Sequence, residues 1–177
     1  MTFQHTGVGD RSAQGRRSAG DGRGGRANYH PDVEIHVLGP GDADKAIAAG
    51  HLYDHEPKIE AVDRFLAERN HHILIAYEDG VPAGFVSGIE MTHPDKGTEM
   101  FLYELGVAEA YRRRGIGRSL VSRLAEIARS SGCYGMWVLT SEDNFAAMAT
   151  YRRAGATETE ETVLLSWQFR EENQPLE

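Results

Sequence analysis

The sequence predicts a mixed α/β fold, in which one central sheet carries helices on both faces. Apolar residues that alternate with polar ones predict strands, and apolar residues at three- and four-residue spacing predict helices. These segments follow one another in the order β-α-α-β-β-β-α-β-α-β, which favours one sheet covered by helices. The chain has 177 residues, 40% of them hydrophobic, so it is long enough to bury a core as one domain.

Residues 1–30 differ in composition from the rest and are predicted to be a disordered tail. They are rich in Gly, Arg, Ser and Gln and have almost no large apolar side chains. Such a segment cannot bury enough surface to offset the entropy that ordering would cost. Arg23-Gly24-Gly25 resembles a fragment of an Arg-Gly-rich RNA-binding element, but hardly any aromatic residue accompanies it. Residues 31–177 are predicted to form the globular domain.

The first half of this domain is predicted to contain a strand, two helices and a hairpin. Gly39-Pro40-Gly41 ends the first strand, Asp42 is placed to cap the first helix, and Asp79-Gly80 closes the hairpin. The predicted elements are strand 33–38, helix 43–51, a helix with an apolar face over 61–66, and strands 73–77 and 82–91.

The second half begins with a strand over residues 99–107. A helix follows Gly115, because its apolar residues recur at helical spacing, and Gly132 ends it. A strand over 134–139, a helix opened by Asn144 and closed by Gly155, and a strand over 162–169 complete the prediction.

Charge is unevenly distributed along the chain, and this distribution limits the kinds of molecule that we expect it to bind. The formal charge is −8, but five arginines against two aspartates give residues 1–30 a charge of +3, which leaves −11 for residues 31–177. An acidic surface repels nucleic acid and anionic membranes and attracts polycations. We therefore expect no nucleic acid and no membrane as partner.

Cysteine content and hydropathy point to the cytoplasm. Cys133 is the single cysteine, so neither a disulfide framework nor a cysteine-based zinc cluster is expected. Apolar runs stay well short of the ~18 residues that a membrane span needs. The N-terminus lacks the apolar region of a signal peptide, so we expect a cytoplasmic protein.

The segment from Leu105 to Arg118 carries most of the functional prediction. It begins as an apolar strand that contains Gly106, and a glycine inside a strand often marks a bulge or a close backbone approach. A bulge there would separate the strand from its neighbour and leave backbone groups unpaired. An extended ligand that contains amides, such as the pantetheine arm of CoA, could then pair with them like an added strand.

The same segment continues as an Arg-x-x-Gly-x-Gly turn that opens a helix. Gly115 and Gly117 have no Cβ, so the backbone can approach a ligand closely. The free N–H groups and the dipole at the helix start form an anion site suited to a pyrophosphate. A solvated basic turn is the alternative, but the glycines lie between a strand and a well-patterned helix, which favours the anion site. The patterns of a dinucleotide-binding Rossmann turn and of a Walker A loop are absent.

Leu-x-Val followed by Arg-x-x-Gly-x-Gly resembles the acetyl-CoA motif of the GNAT superfamily of N-acetyltransferases. The likeness covers residues 33–169 in motif spacing and element order, and implies a mixed, mostly antiparallel sheet and acetyl-CoA as cosubstrate. It implies that Leu105, Gly106 and Val107 pair with pantetheine. The residues implied to bind the pyrophosphate, mostly through backbone N–H groups, are Arg112, Arg113, Arg114, Gly115, Ile116, Gly117 and Arg118.

A second constellation lies on the last predicted helix. Asn144 and Tyr151 are seven residues apart, so they lie on one side of that helix. Taken alone, Asn144 is explained as an N-cap and Tyr151 as a half-buried packing residue. Together they resemble the GNAT pattern, in which the asparagine binds the cofactor arm and the tyrosine protonates the departing thiolate.

Glu104 is the candidate general base. A carboxylate in an apolar central strand is unusual, because charged residues are seldom buried unpaired. Either an arginine pairs with it structurally, or it borders the cleft and takes the proton of the attacking amine, directly or through water. Burial would raise its pKa toward the useful range. The Val107 N–H is then placed to stabilise the developing oxyanion. Scattered histidines give no convincing metal site.

Within the superfamily, Tyr103-Glu104-Leu105 and the arginines before the glycines resemble the class I aminoglycoside 3-N-acetyltransferases. The implied acceptor is a polycationic small molecule, with another polyamine, an amino sugar, a protein amine or a non-catalytic acyl-CoA sensor as alternatives. That family usually has aspartate at the strand position where this chain has Glu104. The implied fold often dimerises, so a homodimer is an open alternative to a monomer. The candidate acceptor-binding acids, which an ordinary solvated surface would also explain, are Asp54, Glu56, Glu60, Asp63, Glu142 and Asp143.

Overall fold

The computed structural model describes residues 33–167 and residue 169. The predicted tail over residues 1–30 lies outside this part of the chain. Five strands of the described part form one sheet in chain order: β1 (Glu34–Leu38), β2 (His71–Glu78), β3 (Val81–His93), β4 (Gly97–Val107) and β5 (Met136–Val138). Neighbouring strands are antiparallel from β1 to β4, and β5 is parallel to β4. The predicted mixed, mostly antiparallel sheet is therefore confirmed.

Helices cover both faces of this sheet, as predicted. The four α-helices of the described residues are α1 (Ala43–Ala48), α2 (Ile59–Ala67), α3 (Ile116–Ser130) and α4 (Phe145–Arg153). The first is shorter than predicted, because the chain tightens into a 3-10 turn over Gly50–Leu52. One apolar cluster lies between the sheet and α1 and α2, and it includes Ile75 and Phe85. The other lies between the sheet and α3, and it includes Leu74 and Leu102.

The edge of the sheet beside β5 differs from the prediction. The strand expected over residues 134–139 is paired only from Met136 to Val138, and the strand expected over 162–169 is wrong for residues 162–167 and 169, which form no strand. The alternation of Val163, Leu165 and Trp167 predicted that strand, but these side chains are 69–82% exposed. The neighbouring edge has only three paired residues, so it offers little backbone to extend.

The two parallel strands β4 and β5 diverge, and this divergence positions the site. Their register runs from Met100 opposite Met136 to Leu102 opposite Val138 and then stops. Strand β4 continues for five residues beyond that point while still paired with β3. The last part of β4 therefore has a strand neighbour on one side only.

Candidate active site

A β-bulge at Tyr103 decides which way Glu104 points. Ser87 of β3 pairs with Glu104, and the next residue, Gly88, pairs with Leu102, so Tyr103 is the extra residue on β4. The bulge shifts the alternation of side chains by one position. Before it, Met100 and Leu102 pack toward α3, and after it the odd-numbered Leu105 and Val107 pack on that side. Glu104 is consequently turned to the face covered by α1 and α2.

Glu104 lies in surroundings that favour its protonated form more than water does. Burial raises the pKa of its carboxyl above the ordinary value, and the nearby negative charge of Asp54 adds to the effect. No described arginine forms an ion pair with Glu104, so the structural alternative considered for it finds no support in residues 33–167. On the same face, burial raises the pKa of Tyr53 to about 12, with smaller contributions from Glu104 and Tyr77.

Glu104 borders a cavity of about 250 Å³, here called the inner cavity, between α2 and the sheet. Its polar lining residues are Lys58, Ser87, Tyr103 and Glu104. Most of the wall is apolar or aromatic and comes from α1, α2, the segment between them, β2 and β3: Ala46, Tyr53, Pro57, Ala61, Val62, Phe65, Leu66, Ile73 and Phe85.

A second cavity of about 430 Å³, here called the outer cavity, adjoins the first at Tyr53 and Pro57. Asp54 and Glu56 line it, as expected for acids that bind a polycation. Four other candidate acids do not line either cavity. Glu60 and Asp63 are exposed on α2, and Glu142 and Asp143 are exposed in the loop before α4.

The last residues of β4 present backbone groups to the gap beside β5. The Ala108 N–H donates to the Ala83 carbonyl at 3.0 Å. The alternation of an antiparallel ladder therefore turns the N–H and C=O groups of Leu105 and Val107 away from β3, and those of Gly106 toward it. Leu105 and Val107 are thus placed to pair with an extended ligand, whereas the backbone of Gly106 is turned away from the gap.

Gly106 has a different role from the predicted bulge, which lies at Tyr103 instead. Gly106 pairs in register with Phe85. A Cβ at this position would lie 2.5 Å from Cε1 of Phe85 and 3.0 Å from the carbonyl oxygen of Leu52. The glycine is therefore required because a ring and a backbone carbonyl approach it closely.

The turn between β4 and α3 forms a concave group of backbone N–H donors. Arg113 has a φ of 63° and Gly115 a φ of 86°, both in the left-handed region. Left-handed residues among right-handed ones turn successive N–H groups toward one point, which is an anion-binding arrangement. No side chain caps the start of α3, and no group within residues 33–167 accepts a hydrogen bond from the N–H groups of 113–118. This geometry fits the predicted pyrophosphate site.

Two arginine side chains of this turn support the turn itself. The Nε of Arg112 donates to the Val107 carbonyl at 3.1 Å. The guanidinium of Arg114 forms an ion pair with Glu78 and lies over the ring of Tyr111, 5.4 Å from its centroid. These two side chains therefore hold the turn against β2 and β4. The N–H of Arg112 donates to the Glu109 carbonyl at 3.2 Å, so it is not among the free donors of the turn.

Helix α4 brings Tyr151 into the core beside α3. Tyr151 packs against the α3 cluster, and burial raises the pKa of its hydroxyl. A Cβ on Gly117 would lie 3.3 Å from Cγ2 of Thr150, so Gly117 allows α3 and α4 to pack closely. The Oδ1 of Asn144 accepts a hydrogen bond from the Ala147 N–H at 3.1 Å, which caps the helix.

Comparison with known proteins decides the family. Residues 44–156, more than half of the chain, match the sequence profile of the acetyltransferase (GNAT) family. The chain belongs to the GNAT family. The sequence is 35% identical over 95 residues to the N-alpha-acetyltransferase RimI of Mycobacterium tuberculosis, an alignment that covers 54% of this chain and 58% of the relative. The GNAT chain thus spans little more than half of that relative's length.

Solved structures share the fold of this GNAT chain. An aminoglycoside acetyltransferase from an uncultured soil metagenomic sample, in complex with sisomicin, superposes with a TM-score of 0.73 at 18% identity and covers 80% of this chain and 99% of its own. The aminoglycoside N-acetyltransferase AAC(6')-Iy in complex with CoA superposes with a TM-score of 0.66 at 20% identity, with coverage of 77% and 95%. At these identities the likeness concerns the fold alone.

The site of this GNAT chain fits the acetyl-CoA that the family uses. The N–H groups of the turn before α3 suit a diphosphate, and the outward backbone groups of Leu105 and Val107 suit the amides of pantetheine. Within the described residues there is no cluster of three or more His, Cys, Asp or Glu side chains suited to a metal ion. The helices of the same part of the chain include none that is long and apolar enough to span a membrane.

Sequence reasoning missed Ser87 and Tyr53 of this GNAT site. Ser87 is only 5% exposed and lies opposite Glu104 on β3. A signal existed, because Ser87 is a polar residue in the apolar run Phe85-Val86-Ser87. Tyr53 follows the 3-10 turn, whose formation the helical spacing did not predict.

Proposed function

We propose that this GNAT chain transfers the acetyl group of acetyl-CoA to a primary amine of a small polycationic acceptor. An aminoglycoside is the leading acceptor class, and its 3-amino group is the proposed position, which would inactivate the antibiotic. The single observation that carries the proposal is the bulge at Tyr103. It turns Glu104 into the inner cavity, while the following residues of the same strand keep outward N–H groups beside the anion site.

Each step of the transfer has a residue in a suitable place. Glu104 takes a proton from the acceptor ammonium, for which its raised pKa makes it a better match than an exposed glutamate. The outward N–H of Val107 stabilises the negative charge that develops on the thioester oxygen. Tyr151 is protonated at neutral pH, since the ordinary pKa of a tyrosine is 10.0 and burial raises it further, so it has a proton to give to the departing thiolate.

The acidic character of the chain supports a polycationic acceptor. Residues 31–177 have a formal charge of −11, and Asp54 and Glu56 line the outer cavity next to the proposed base. Fold likeness to two aminoglycoside acetyltransferases agrees with this choice. The second of them is named as a 6'-enzyme, so the acetylated position has to be measured.

The deciding experiment is release of free thiol from acetyl-CoA with a panel of aminoglycosides, polyamines and peptides. We expect turnover with aminoglycosides, and NMR of the product to place the acetyl group on the 3-amino nitrogen. The Glu104→Gln and Tyr151→Phe variants should bind CoA but lose at least about 100-fold in kcat. Unchanged turnover in both variants would refute these catalytic roles.

A second candidate acceptor is the amino group of a protein. It is favoured by the 35% identity to the relative named N-alpha-acetyltransferase RimI. Turnover with peptides alone in the same panel would select it. Tight binding of acetyl-CoA without transfer to any amine would instead identify a non-catalytic acyl-CoA sensor.

A further inference from the structure

The inner cavity has an unusual wall for a site that accepts a sugar-like amine. Its sides are made of Val62 and Phe65 from α2, Ile73 from β2, and Phe85 from β3. The ring of Tyr53 completes the wall, with its edge against Phe85 at a centroid distance of 4.7 Å. A hydroxyl group that faced these side chains would lose its hydrogen bonds to water and gain none.

The hydroxyl of Tyr53, on the wall formed by the helices, is already engaged. The Tyr53 hydroxyl donates to the Ala46 carbonyl at 3.1 Å, so its proton is directed toward α1. Besides the exposed Lys58, the polar lining of the inner cavity comes from β3 and β4: Ser87, Tyr103 and Glu104. Ser87 and Glu104 are neighbours across the two strands, so the polar groups suited to an amine are concentrated at the sheet.

Each of the two cavities has a volume suited to a different part of the acceptor. The inner cavity has about 250 Å³. An apolar cavity of ~150 Å³ is enough for benzene, so the inner cavity holds one six-membered ring and not a whole aminoglycoside. The outer cavity of about 430 Å³, with Asp54 and Glu56, is the place for the remaining charged groups.

We propose that the inner cavity binds a hydrocarbon face of the acceptor: it holds a ring that lacks hydroxyl groups and that adjoins the ring carrying the 3-amino group at Glu104. Among aminoglycosides, this selects those with a deoxygenated amino-sugar ring over their hydroxylated counterparts. The preference for such aminoglycosides rests on the proposed function, but the affinity of the cavity for a hydrocarbon ring does not.

The test uses three aminoglycosides with the same five amino groups. Kanamycin B has hydroxyls at positions 3' and 4', tobramycin lacks the first, and dibekacin lacks both. We expect kcat/KM to rise in that order, by about 10- to 100-fold from kanamycin B to dibekacin. Equal values for the three would overturn the proposal, whereas the proposed function would stand.

A pair of matched variants links this preference to the inner cavity. Val62→Thr keeps the shape of the wall but adds a hydroxyl to it, and should reduce the ratio of kcat/KM for dibekacin over kanamycin B by about tenfold. Val81→Thr makes the same change at a residue that is 45% exposed and lines neither cavity, and should leave the ratio unaltered. A ratio that is the same in both variants would contradict the assignment.

Binding of two simple amines separates this proposal from the catalytic one. Cyclohexylmethylamine and 6-amino-6-deoxyglucose both carry an aminomethyl group on a six-membered ring, but only the second ring bears hydroxyls. Calorimetry on the CoA-loaded protein should give at least about tenfold tighter binding of the first. If this holds while no aminoglycoside is acetylated, the cavity assignment stands and the proposed function fails. Equal binding, or no binding of either amine, would overturn the cavity assignment.

Discussion

Glu104 combines partial burial with a negatively charged neighbour, and both effects appear in the pH dependence that we expect. Because its pKa is raised, kcat/KM for the acceptor should fall as the pH falls through a midpoint above the ordinary 4.5 of a glutamate. The charge of Asp54 contributes to this shift, so Asp54→Asn should move the midpoint to lower pH. The measurement is kcat/KM for the acceptor at saturating acetyl-CoA across the acid range.

A control for this prediction lies on α1. Asp44 is exposed in the first turn of that helix and lines neither cavity, so Asp44→Asn should leave the midpoint where it is. If Asp54→Asn does not lower the midpoint, the loss of activity at low pH is due to protonation of a group other than Glu104.

Gly106 on β4 has no space for a side chain. Gly106→Ala would place a methyl group 2.5 Å from the Phe85 ring and 3.0 Å from the Leu52 carbonyl oxygen. We expect the free energy of unfolding in urea to fall by about 1–3 kcal/mol. The matched change Gly39→Ala has nothing within 4 Å of the added methyl and should cost far less. Equal losses would show that the cost is only that of replacing glycine.

At the scale of elements, a glycine at each end of α3 allows the anion site to be tested. The same substitution at both ends separates loss of CoA binding from loss of stability caused by backbone strain. Gly115 precedes the helix with a φ of 86°, and Gly132 follows it with a φ of 79°. Alanine at either position should cost about 1–2 kcal/mol of stability, because a Cβ is strained in the left-handed region. Only Gly115→Ala should weaken CoA binding in calorimetry. Comparable weakening by Gly132→Ala would move the anion site away from the start of α3.

The sequence predicted most elements well but placed the bulge of β4 at Gly106 instead of Tyr103. Turn residues such as Asp79-Gly80 and Gly115 mark chain reversals locally, so the hairpin and α3 were found near their observed bounds. The extra residue at Tyr103 depends on how β3 and β4 align, which no local pattern encodes. The expected strand over 162–169 failed for a related reason, because alternation indicates strand propensity but does not supply a partner edge.

Prediction of the site was uneven in the same way. The donors of the turn before α3 follow from glycine spacing and a helix start, which are local, so the sequence alone could point to this turn as an anion site. The acceptor side depends on which surfaces α1 and α2 present to the sheet. The sequence therefore gave no reason to prefer Asp54 over Glu60 and Asp63 as an acceptor-binding acid. Of these three, Asp54 alone lines a cavity.

For the whole molecule, the net charge leads to a prediction about salt. The formal charge of −11 on residues 31–177 should attract a polycationic acceptor over distances longer than a contact. Ions screen this attraction, with a Debye length of about 30 Å at 0.01 M and about 10 Å at 0.1 M. We expect kcat/KM for an aminoglycoside to fall severalfold between these ionic strengths, and kcat to change little. A kcat/KM that ignores salt would argue against long-range attraction.

Because β4 and β5 diverge after Leu102, the last residues of β4 have no strand partner among the described residues on that side of the sheet. Pantetheine amides that pair with Leu105 and Val107 act as a removable strand, so the cosubstrate becomes part of the scaffold while it is bound. Each tenfold rise of acetyl-CoA above its dissociation constant then adds about 1.4 kcal/mol to folding stability. A chain that holds acetyl-CoA in this way should therefore resist unfolding and proteolysis better than the same chain without it.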